Sequence, residues 1–274
     1  MRYAAFVFAL GIGVSIGSGG AFAGDPPANA AEDDAATTKV KELEKQVAEH
    51  ATAKATDALT RDVAEVTKAY GEVADEKLKS RVAILAGAIL QAAGDDTLKR
   101  TAIRAIGQMG DMSAYKFMDG YVKQPDPKSV PPLLLEAIEA AGKMKAENAV
   151  DPMLQIVTKT KTYNAAVAAM KALANYGSSK RVRAKIVTDL IGTVRKDRPG
   201  RAPKKMTNGG VGDDSSVAGG NTGEQGQSRW GALSGQLVET LNKLTGQNYA
   251  TPEDWFGVFD KYKKSLEADV FSSK

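Results

Sequence analysis

Ala102-Ile103-Arg104-Ala105-Ile106-Gly107-Gln108-Met109-Gly110-Asp111 is the stretch that decides how this chain folds. It returns 35 residues later as Ala137-Ile138-Glu139-Ala140-Ala141-Gly142-Lys143-Met144-Lys145-Ala146. A further 32 residues on, it returns as Ala169-Met170-Lys171-Ala172-Leu173-Ala174-Asn175-Tyr176-Gly177-Ser178. The shared form is alanine, hydrophobe, charge, alanine, then small and apolar residues before a turn. Apolar positions three and four apart lie on one face of a helix. A second amphipathic run follows each copy, over 112–122, 149–157 and 180–194. Each unit therefore reads as a helical hairpin of 32 to 35 residues. Two short helices cannot bury both faces alone, whereas stacked hairpins share a continuous core.

The punctuation agrees with this pattern. Gly107, Gly142 and Gly177 are expected at helix ends, because glycine accepts positive φ cheaply. Asp151 before Pro152 reads as a capping acceptor ahead of a first-turn proline. Ser129 before Pro131-Pro132 reads as another helix start. The alanines of A-x-x-A are expected where paired helices approach closely. The 102–111 segment resembles the second helix and turn of a HEAT or HEAT-like repeat, and 75–195 resembles three to four such units. The tetratricopeptide and ankyrin signatures are absent. The resemblance implies an all-α fold, a short α-solenoid of antiparallel helix pairs.

Towards the C-terminus, Trp230, Leu233, Leu237, Leu241 and Leu244 step by three and four up to Gly246. Thr251-Pro252-Glu253-Asp254 then supplies an N-cap, a proline and an acidic first turn. Trp255, Phe256, Phe259, Tyr262 and Leu266 form the next apolar stripe. Leu241-Asn242-Lys243-Leu244-Thr245-Gly246-Gln247 followed by Trp255 is similar to a terminal segment of exported bacterial HEAT-repeat proteins. That likeness implies a packing role for Trp230, Leu237, Leu241, Trp255, Phe256 and Phe259. A hairpin over 229–270 would cap the exposed end of the array, as its last repeat.

Between array and hairpin, 196–228 reads as a basic, then Gly-rich, flexible loop. Seven glycines fall within 207–227. Arg195, Lys196, Arg198, Arg201, Lys204 and Lys205 gather at its leading edge and offer a candidate polyanion-binding patch. No aromatics interleave for base stacking, so no nucleic-acid partner is expected.

At the other end, Arg2, an uncharged apolar run over 4–17 and Ala21-Phe22-Ala23 have the form of a secretory signal peptide cleaved after Ala23. Export to the periplasm or beyond is the expectation. The run is too short for a permanent span, and no later segment has the length of one. Gly13-Val14-Ser15-Ile16-Gly17 matches a nucleophile-elbow pattern by chance, inside the targeting run. Residues 24–38 read as a disordered leader and 39–74 as an N-terminal helix, striped by Val40, Leu43, Val47, Leu59, Val63, Val66, Tyr70 and Val73. His50 reads as a solvated surface imidazole on it.

The 274 residues are 43% hydrophobic and only 6% aromatic, with no cysteine and one histidine. That excludes disulfides, zinc-thiolate centres and thiol nucleophiles, and leaves little for a histidine-based triad. The formal charge of +4 falls by one when Arg2 is removed. Phosphate-loop, zinc-protease and calcium-loop motifs are missing. No catalytic residue, metal or cofactor is expected. Two functions remain. One is a non-enzymatic scaffold that binds another protein along the inner helices, with Lys99, Arg104, Glu136, Glu139, Lys143 and Lys171 exposed by helical phase. The other is a ligand- or polyanion-binding envelope protein using the basic loop and the aromatic hairpin.

Overall fold

The computed structural model describes residues 28–123, 132–160, 163–199 and 222–262. The fold is all-α, with no strand among the described residues. The helices are α1 (Ala28–Ala53), α2 (Thr56–Glu72), α3 (Glu76–Ala92), α4 (Asp96–Met109), α5 (Tyr115–Val122) and α6 (Leu134–Met144). There follow α7 (Val150–Lys159), α8 (Tyr163–Leu173), α9 (Lys180–Val194), α10 (Thr222–Thr245) and α11 (Pro252–Tyr262). Even-numbered helices pack in order, α2 on α4, α4 on α6, α6 on α8 and α8 on α10. Among odd-numbered helices, α1 packs on α3, α3 on α5, α7 on α9 and α9 on α11. Each odd helix from α1 to α9 also touches the even helix that follows it.

One apolar core runs through both rows, from Val40 to Trp255 and Phe256. In α4 it takes Leu98, Ala102, Ile103, Ala105, Ile106 and Met109, all buried. That leaves one polar stripe on the helix, as the spacing requires. Burying a leucine or isoleucine of this kind stabilises the fold by about 1.5–3 kcal/mol.

Aspartates start several turns. Asp75 accepts from the Leu78 amide at 2.8 Å, Asp95 from Leu98 at 2.9 Å and Asp111 from Ser113 at 2.8 Å. Each satisfies a backbone donor that the first helical turn would leave open.

Several expectations change. The single helix over 39–74 is two, broken at Lys54, whose φ is +51°. The Ala55 amide reaches back to the His50 carbonyl at 3.1 Å and closes α1. Between Val47 and Leu59 no large apolar side chain is available to hold a continuous helix on the core. Helix α1 begins at Ala28, inside the segment read as a leader, where alanines favour it. Helix α10 likewise begins at Thr222, before 229. The proposed start at Ser129 and Pro131 lies outside the described residues.

Gly107 and Gly142 do not end helices; they sit inside α4 and α6. A Cβ on Gly107 would come 2.7 Å from both Cα and Cβ of Ala140, and one on Gly142 would come 2.7 Å from the Cβ of Ala172. Their smallness lets successive even helices touch. The left-handed residues that end these helices are Gly110 (φ +69°) and Lys145 (φ +54°). Gly177 has φ −62° and no special conformation. Asp151 forms no cap; its carboxylate lies 3.1 Å from Lys185 Nζ.

Tyr176 ties the units together. Its buried hydroxyl lies 3.1 Å from the Ala141 carbonyl and 2.9 Å from that of Ala146, across the end of α6. Burial pushes its phenol well above the ordinary tyrosine range.

Candidate functional site

The contacts of Gly107 with Ala140 and of Gly142 with Ala172 keep one register along the even-numbered row. Thr240 of α10 continues the row, its hydroxyl donating to the Met170 carbonyl at 3.2 Å. With the small residues turned inward, Arg104, Glu139, Lys171 and Glu239 stand exposed on α4, α6, α8 and α10. Lys143 is exposed too, while Lys99 and Glu136 are half-buried. Glu136 Oε1 lies 2.7 Å from Arg100 Nε and 3.5 Å from Arg104, linking α4 to α6. Lys143 pairs with Glu139 at 2.7 Å, and Lys99 with Asp96 at 3.7 Å. Of the six face residues, Lys171 keeps an exposed charge with no ion pair among the described residues. The exposed pair of Lys143 with Glu139 contributes little stability.

The basic cluster is placed differently. Arg195 forks onto Asp260 of α11 with distances of 2.7 and 2.8 Å, and its guanidinium stands 5.4 Å from the Phe256 ring centre. Arg198 faces Glu253 at 3.4 Å. Lys196 is exposed, and Arg201, Lys204 and Lys205 lie outside the described residues. Two of the six cations thus face carboxylates of α11.

The aromatic residues pack inward. Trp255 is 0% exposed. Its indole N–H donates to Asn242 Oδ1 at 3.1 Å, and Tyr249 meets its ring edge-on at 4.9 Å. Asn242 also accepts from the Tyr249 amide at 3.1 Å and donates to the Tyr249 carbonyl at 2.9 Å. One amide side chain therefore shapes the turn between α10 and α11. Thr251 and Asp254 cap α11 reciprocally: the Thr251 amide donates to Asp254 at 3.0 Å, and the Asp254 amide to Thr251 Oγ1 at 3.2 Å. These bonds, led by that of the Thr251 side chain, hold the Asp254 carboxyl below the usual aspartate range. Leu233, Leu237, Leu241 and Phe256 are buried; Trp230 and Phe259 are partly buried, with Trp230 tilted against Phe256 at 6.1 Å.

Arg229 holds this end of the molecule and drew no attention in the sequence. Its side chain is only 15% exposed. Nη1 donates to the Thr160 carbonyl at 2.7 Å, Nη2 to that of Val157, and Nε to Asp197 at 2.7 Å. It thereby satisfies the terminal carbonyls of α7 with a cation, which suits a helix C-terminus. Its partners lie 32 to 72 positions away, so no local pattern marks it.

His50 is not a solvated imidazole. Nδ1 stands 2.7 Å from Oδ2 of Asp62, a carboxylate with 0% exposure, and His50 is 33% exposed. Gln46 donates to the other oxygen of Asp62 at 2.7 Å and to Glu65 at 2.8 Å. A buried carboxylate needs such partners, and these fasten α1 to α2. The stripe itself carried the signal: Asp62 falls between Leu59 and Val63, and His50 three residues after Val47.

Among the described residues, no group of three His, Asp or Glu could hold a metal ion. Nor is any helix there long and apolar enough to cross a membrane. No family model, curated protein or solved structure matches this chain.

Proposed function

We propose that this chain is an exported, HEAT-like α-solenoid that acts as a non-enzymatic scaffold of the cell envelope. It would bind another protein along the face of its even-numbered helices. One observation carries this reading: the small-residue register of α4, α6 and α8 repeats, and it leaves Arg104, Glu139 and Lys171 exposed in one rank. Repeat arrays use such extended faces for binding. The burial of Trp255 and the pairing of Arg195 and Arg198 with α11 favour a structural cap at 229–262 over a ligand or polyanion site.

The test places a photo-crosslinking residue at position 104 or 171 on this face, or at 185 on α9, in cells making the full chain. A discrete adduct shared by 104 and 171 and absent from 185 is expected. No adduct from the face, or the same adduct from 185, overturns the scaffold. Export is tested by the N-terminus of the protein recovered from the envelope fraction, which should begin at Gly24.

A further inference from the structure

Three successive units of the even row end around one open depression of about 450 Å3. Gly142, Lys143 and Lys145 come from the end of α6, Asn175 and Ser178 from the turn after α8, and Lys243 from the last turn of α10. No carboxylate lines it. Lys243 donates to Asn175 Oδ1 at 2.9 Å, a neutral partner, and Asn175 in turn donates to the Gly142 carbonyl at 3.3 Å. Lys145 is exposed and has no ion pair among the described residues. Only Lys143 has a carboxylate beside it, that of Glu139.

Lysines near helix C-termini offset the partial negative charge there. That accounts for each one singly. Lys54 even ends α1 in the same left-handed conformation as Lys145. It does not account for three lysines lining one hollow that no carboxylate lines. No arginine lines the hollow, so it offers point donors on flexible stems rather than planar forks. Such donors match several carboxylates presented together on a chain that can adjust to them.

We propose that this depression is the docking point for an acidic segment, bearing two or more Asp or Glu side chains, of the partner protein. It rests on the scaffold reading, because Lys143 belongs to the same face. Lys145 and Lys243 carry the charge that no carboxylate pairs, Lys143 lines the hollow beside them, and Asn175 positions Lys243.

The experiment titrates the mature protein with a short oligoglutamate peptide at low salt, followed by backbone amide shifts, with inorganic phosphate as a parallel arm. Amides at Gly142, Lys145, Asn175, Ser178 and Lys243 should move with the peptide. In the double variant Lys145→Glu/Lys243→Glu the affinity should fall at least about tenfold. Lys145→Gly and Lys54→Gly should both raise Tm, since glycine suits their backbone, but only Lys145→Gly should weaken the peptide. Shifts centred on Arg195 and Lys196, equal shifts from phosphate alone, or unchanged binding by Lys145→Gly overturns the proposal. Those results leave the crosslinking pattern at 104 and 171 untouched, so failure of the docking point is distinct from failure of the scaffold.

Discussion

The middle of this protein and its C-terminal end are fastened by opposite means. Between α4, α6 and α8 the contact is made by what is missing: Gly107 and Gly142 leave no room for a Cβ against Ala140 and Ala172. Between α10–α11 and the rest, the contact is made by large charged and aromatic side chains, with Arg229 spread over the end of α7 and Arg195 set against Asp260 and Phe256 of α11. Repeated small steps suit a row that must continue in one register. A terminal element docks once, so it can use bulky, specific groups that no neighbour has to repeat.

The largest test of this contrast is Trp255→Ala. It should cost about 3–5 kcal/mol in denaturant unfolding. If the terminal helices belong to the same cooperative unit, the transition stays single; two transitions would make α10–α11 an independent module. Arg229→Ala comes next, at about 1.5–3 kcal/mol, because it strips charged donors from partly buried carbonyls. Arg229→Lys should recover little of that loss, since an ammonium cannot span Val157, Thr160 and Asp197 together. Full rescue by lysine would reduce the interaction to charge alone.

Gly142→Ala probes the other side of the comparison. Helix propensity favours alanine by about 1 kcal/mol. Overpacking against the backbone of Ala172 should outweigh that and leave a net loss of about 1–2 kcal/mol in urea midpoint measurements. A stabilised variant would show that the even row is looser than its contacts imply. The smallest effect is on pH. The Asp254 carboxyl titrates below its ordinary value, so its cap supports α11 above the unfolded aspartate pKa and is lost as pH falls through the lower, folded one. Below about pH 4 the amide signals of Thr251 and Asp254 should therefore shift towards a frayed helix. Asp254→Asn should remove that dependence.

The apolar stripes of the helices were legible because a period near 3.6 survives any neighbour. Leu233, Leu237 and Leu241, placed by spacing alone, are all buried. The role of Gly107 and Gly142 was not legible, since a glycine needed for φ and one needed for closeness look alike in one dimension. Lys145 ends α6 where a glycine was expected, and only the backbone reveals it. Arg229 and the lysine depression unite residues from several helices, so spacing within any one of them says nothing. His50 and Asp62 were readable in principle, as polar residues in phase with an apolar stripe.

The bond between Asp197 and Arg229 has one more consequence. It joins two residues 32 positions apart, one on each side of 200–221, with 2.7 Å between their side chains. The chain between Asp197 and Arg229 is thus a loop that this one bond closes. The entropy of closing such a stretch rises by only about 0.6 kcal/mol for each doubling of its length. Sequence inserted between the two would therefore lengthen a loop already closed, at a closing entropy that grows only slowly with its length.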